Sequence, residues 1–144
     1  MGKNKYQKNK FLDVTVGIYS VKKNGEINVP FSFHDARFLI DNIHDNKLQG
    51  RKFELDIDNE NSFCAFNKLV FNEYKIINNA FNDGAFCMGA EFYLKENGRY
   101  EAVFEMECFK PKSNTTIYEY LKINCKSIVF MSDECENTEF PPQY

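Results

Sequence analysis

Residues 32–50, "SFHDARFLIDNIHDNKLQG", decide the fold class. Ala36, Leu39, Ile40 and Ile43 recur at the three- and four-residue spacing of a helix face. Arg37 and Asp41 stand four apart, as an ion pair on a helix would. Ser32 with Asp35 fits a capping box, and Gly50 lies shortly past the end. The spacing predicts one helix over about 34–47. The rest of the chain alternates, so this stretch supplies the one convincing helix and with it the α+β class.

Upstream, Leu12, Val14, Val16 and Ile18 alternate, and Asn24-Gly25 is a strong hairpin signal. Ile27, Val29, Phe31 and Phe33 then alternate again. A two-residue turn at 24–25 sets Ile18 opposite Phe31 and Val16 opposite Phe33, so both apolar rows share a face. Pro30 marks an edge strand or an early strand end. Downstream, Phe53, Leu55 and Ile57 alternate, and residues 58–61 read as a turn. Residues 62–71, "SFCAFNKLVF", read as a central strand, with 73–77 extending or following it.

The best-specified unit is 85–109. Phe86, Met88, Ala90, Phe92 and Leu94 alternate, and so do Tyr100, Ala102, Phe104, Met106 and Cys108. A two-residue turn at Asn97-Gly98 would put one row on the wrong face. A three-residue loop, Glu96-Asn97-Gly98, avoids this, with Gly98 left-handed. It pairs Leu94 with Tyr100, Phe92 with Ala102, Ala90 with Phe104 and Met88 with Met106. Cys87 and Cys108 then fall on opposite faces, and Glu91, Glu101, Glu105 and Glu107 on the wet one. Residues 117–123 and 126–131 read as one broken strand or two short ones.

The expected architecture is a single α+β domain: an antiparallel sheet of about seven strands, strongly twisted or partly barrel-like, with one helix at about 34–47 packed on it. A basic tail is expected at 1–10, the domain at 11–131 and an acidic, Pro-ending tail at 132–144. At 144 residues, with 15 Phe and no Trp, the chain is long enough to bury a core built on phenylalanine.

Composition restricts the chemistry. A net charge of −3 argues against tracking a phosphate backbone, and the basic cluster Lys3, Lys5, Lys8 and Lys10 lacks helix or strand spacing. Nucleic acid is therefore not an expected partner. No secretory signal and no apolar run of membrane-spanning length is visible, so a cytoplasmic location is expected. The five cysteines are odd in number and lack scaffold spacing, as reduced thiols do. No Cys-x-x-Cys occurs, and His34 and His44 read as surface residues. Asp56, Asp58 and Glu60 alternate as calcium ligands would, but Asn61 replaces the turn glycine and Asn67 the bidentate acid. No nucleophile elbow, phosphate loop or dinucleotide fingerprint is present. No catalytic, metal or cofactor residue is assigned, and no enzyme activity is expected.

Two short stretches resemble known patterns. "NCKSIVF" followed by "FPP" resembles the C-terminal part of SecB-type export chaperones, although Met131-Ser132 replaces that family's Pro-Tyr and residues 1–60 do not fit. No family is assigned on it. Pro141-Pro142-Gln143-Tyr144 matches the Pro-Pro-x-Tyr pattern and so resembles ligands of WW domains.

The expected function is that of a non-enzymatic protein-binding module, such as a small inhibitor or adaptor. An asparagine-rich, AT-type composition suits one encoded by a phage or mobile element. The surfaces available are a sheet edge near Pro30 and the acidic positions Glu91, Glu101, Glu105, Glu107, Asp133, Glu134 and Glu136, with Pro141, Pro142 and Tyr144 as a terminal handle. A homodimer through an exposed edge is also expected. The alternatives are a small apolar ligand in an aromatic-lined sheet cavity and, behind it, an unrecognised hydrolase.

Overall fold

The computed structural model describes residues 24–29, 32–39, 48–78, 85–133 and 136–141. They form β1 (Glu26–Ile27), β2 (Ala36–Leu39), β3 (Gln49–Asp58), β4 (Lys68–Asn78), β5 (Phe86–Leu94), β6 (Tyr100–Lys110), β7 (Thr115–Cys125), β8 (Ser127–Met131) and β9 (Thr138–Phe140). Every pairing is antiparallel. The order β3-β2-β5-β6-β7-β4 returns to β3, so these strands close into a ring. β8 and β9 extend from β4, and β1 lies along β5.

The α+β expectation is wrong: this is an all-β antiparallel sheet, with no helix among the described residues. In the stretch that decided the question, Asp35 turns the chain at φ 65° and Ala36–Leu39 run extended. Ser32 does not cap a helix; its Oγ accepts from the His34 N–H two residues on, at 3.0 Å. Ala36 and Phe38 are buried while Arg37 and Leu39 face out, which is period two. Arg37 bonds Asp58 on β3 at 2.9 Å. The backbone found strand partners on both sides, Asp56–Asp58 of β3 and Phe86–Cys87 of β5, and that pairing outweighed a local helical preference. Residues 40–47 of the expected helix lie outside the described residues.

The β5–β6 hairpin has the expected loop. Gly98 sits at φ 82°, Gly98 N–H donates to the Lys95 carbonyl at 2.9 Å, and Lys95 N–H to that of Arg99 at 2.8 Å. Leu94 pairs with Tyr100, Phe92 with Ala102 and Ala90 with Phe104, as expected. Met88 does not pair with Met106: a bulge between Cys87 and Gly89 gives that place to Cys87. The bulge turns Cys87 inward, so Cys87 and Cys108 are both buried rather than on opposite faces.

Elsewhere, β4 begins only at Lys68; residues 62–67 are a loop that drives Cys64 and Phe66 into the interior. Residues 138–140, within the stretch read as a tail, form β9 against Ile128–Phe130. The hairpin expected from Asn24-Gly25 involves residues 11–18, which lie outside the described residues, as does Pro30.

Phenylalanine fills the ring. Phe104 is fully buried and meets Phe38, Phe71 and Phe92 edge-on at 5.0, 6.5 and 5.6 Å between centroids. Phe66 and Phe92 pack on Phe130 at 5.1 and 4.9 Å. Phe140 closes one end against Phe130 and Tyr100. Edge-to-face contacts of this kind add to the burial of each ring.

Candidate functional site

The same alternation that sends these rings inward sends a second set of side chains outward. On β6 the buried Tyr100, Ala102, Phe104, Met106 and Cys108 are separated by Glu101, Val103, Glu105 and Glu107. Strand pairing sorts the outward residues into rows. Phe86 of β5 and Tyr118 of β7 flank Glu107, and Gly89 and Tyr120 flank Glu105. Glu91 and Lys122 flank Val103, and Tyr93 and Asn124 flank Glu101. The expected acids therefore share one face, Glu91 from β5 and Glu101, Glu105 and Glu107 from β6.

Large rings stand among them. Tyr118 is 60%, Phe109 54%, Tyr120 49% and Phe86 42% exposed, too much for side chains that serve only the core. Phe86, expected in the inward row, faces outward because the bulge at Cys87–Gly89 shifts it opposite Glu107, and alternation alone assigns Tyr118 and Tyr120 no face. The pairing of β6 with β7 would have supplied that face.

Charge is handled differently on the two sides of the ring. Outside β3 and β4, Glu54 lies 3.1 Å from Lys52 and 3.0 Å from Lys68, which also reaches Asp56 at 3.6 Å. The hydrogen bond from Lys68 is the main reason the Glu54 carboxyl is held below its ordinary range. On the β5–β7 face, Glu101 alone of the four acids meets a base among the described residues, Lys95 at 3.3 Å. Glu91 accepts from the Tyr93 hydroxyl at 3.0 Å and Glu107 from that of Tyr118 at 3.3 Å. Among the described residues Glu105 has no hydrogen-bond or salt-bridge partner. The concentration of negative charge is felt locally. The Glu107 carboxylate, then its hydrogen bond, pushes the Tyr118 hydroxyl up. Desolvation, followed by Glu91, pushes that of Tyr93 up to about 12.

The remaining expected positions are scattered. Asp133 accepts from the Asn67 side-chain amide at 3.0 Å, Glu136 is exposed, and Pro141 directly follows β9. Glu134, Pro142 and Tyr144 lie outside the described residues, as does His44. His34 is half exposed beside Asp35 at 3.1 Å. Asp58 pairs with Arg37 at 2.9 Å.

The thiols are arranged for packing. Cys64, Cys87, Cys108 and Cys125 are buried thiols that form no disulfide with one another. Burial pushes Cys64 up to about 11 and Cys87 and Cys125 up to about 12. An activated nucleophile needs the opposite shift. Among the described residues no group of three or more His, Cys, Asp or Glu is placed to hold a metal. No described helix is long and apolar enough to cross a membrane.

No protein-family model, curated protein or solved structure matches the chain.

Proposed function

We propose that this chain is a non-enzymatic protein-binding module, of the kind that acts as an inhibitor or adaptor, and that it receives a basic segment of its partner on the outer face of β5, β6 and β7. The observation that carries this is the contrast in charge. Where β3 and β4 meet solvent, acids and bases neutralise one another. On the β5–β7 face, three of the four glutamates have no ion-pair partner among the described residues, although Lys122 shares the face, and they are interleaved with exposed rings. Exposed aromatics supply contact area at low entropic cost, and unmatched carboxylates select the sign of the partner. A second copy docked through the same face would set glutamate against glutamate, so the favoured occupant is a different, basic chain.

Two other features support binding over the alternatives. The interior, where a small apolar ligand would sit, is packed with the rings of Phe38, Phe66, Phe71, Phe92, Phe104 and Phe130. Burial favours the protonated thiols of Cys64, Cys87 and Cys125, the opposite of what nucleophilic chemistry needs.

Fluorescence anisotropy with a labelled arginine-rich decapeptide tests the reading. The intact protein should bind it and release it as salt rises. The combined substitution Glu91→Lys, Glu105→Lys and Glu107→Lys should weaken binding by roughly tenfold or more while leaving the far-ultraviolet spectrum intact. Equal binding by the variant, or no binding by the wild type, would overturn the proposal.

A further inference from the structure

Glu105 and Glu107 stand two residues apart on β6, so their carboxylates repeat along the strand at about 6.8 Å. Alternate side chains of an extended peptide repeat at the same distance. We propose that this face reads an Arg-x-Arg spacing in an extended basic segment, with one guanidinium over Glu107 between Phe86 and Tyr118 and the next over Glu105 beside Tyr120. The inference rests on the docking reading above and gives it a sequence requirement.

Each half has its own geometry. Phe86 and Tyr118 lie on either side of Glu107, two strand spacings apart, or about 10 Å between backbones. That width admits one flat cation between two rings. A guanidinium stacks on aromatic faces and bonds a carboxylate through two parallel N–H groups, which a lysine ammonium does not. The Tyr118 hydroxyl occupies only one oxygen of Glu107, and at 3.3 Å. At Glu105 the opposite flank is Gly89. A Cβ built there meets nothing within 4 Å, so the space above the strand at that point is open. Gly89 does not have the left-handed conformation that requires glycine. The open space, directly beside the carboxylate without a partner, is where the second guanidinium fits.

Three acetylated octapeptides of identical composition test this, each with two arginines among Gly and Ser, spaced as Arg-Arg, Arg-x-Arg or Arg-x-x-Arg. Isothermal titration against the full chain should show Arg-x-Arg binding about fivefold tighter than the other two. Gly89→Val fills the open space. It should keep the thermal midpoint of the wild type yet abolish the spacing preference, and Glu107→Gln should do the same. Glu91→Gln, outside both rows, should weaken all three peptides alike. If all three bind the wild type equally, or Gly89→Val keeps the preference, the spacing proposal is overturned while the docking face stands. If none binds, both fall.

Discussion

Gly25 shows how tightly single positions are constrained. Its φ is 83°, its carbonyl accepts from the Leu94 N–H at 2.7 Å, and an added Cβ would lie 2.6 Å from the Leu94 carbonyl oxygen. The obstacle is backbone, not a movable side chain. Gly25→Ala should therefore cost about 1–3 kcal/mol in a urea melt; a change within experimental error would show that β1 is not held against β5 as described. Asn24-Gly25 was legible as a turn from the dipeptide alone, whereas the approach of Leu94 was not, because it depends on a strand far along the chain.

The buried thiols make a second prediction at this scale. Their folded values lie above the ordinary value of 9.0, at about 11 for Cys64 and about 12 for Cys87 and Cys125. Above pH 9 the unfolded chain loses these protons and the folded one keeps them. Their contribution is thus complete below the unfolded value and is lost as pH rises through the folded ones, by up to about 1.4 kcal/mol per pH unit for each thiol. Urea midpoints should fall between pH 9 and 12, and a Cys87→Ser, Cys125→Ser variant should show a shallower fall. A flat profile would mean that these thiols ionise in the native state.

At the scale of elements, legibility followed how many constraints met in one place. The β5–β6 hairpin could be registered because loop length, Gly98 and two facing apolar rows had to agree. The bulge at Met88 escaped, although Gly89 inside a strand was its signal. In residues 32–50, Ala36, Leu39, Ile40 and Ile43 suit a helix, while Phe38 lies off that stripe and fits the alternating pattern that the strand adopts. That residue is fully buried against Phe104 at 5.0 Å. β9 was too short to show any period: Thr138–Phe140 holds one apolar residue. Phe140 is nonetheless 3% exposed between Tyr100 and Phe130. Phe140→Ala should cost about 3–5 kcal/mol in a chemical melt. A loss below half a kilocalorie would return these residues to the status of a tail.

At the scale of the molecule, closing the ring leaves β5, β6 and β7 with neighbours along both edges, so their outward side chains, not their backbones, are available to a partner. The four glutamates were legible as one face from the hairpin register; their interleaving with Tyr118, Tyr120 and Phe86 was not, because it requires the β6–β7 pairing and the bulge. Asp133 and Glu136 are the competing acidic positions for a basic segment. Amide shift mapping by NMR, with the arginine-rich decapeptide added to the labelled full chain, separates the two. The largest shifts are predicted at 86–93, 101–109 and 116–122; shifts confined to residues beyond 131 would contradict the assignment of the docking face.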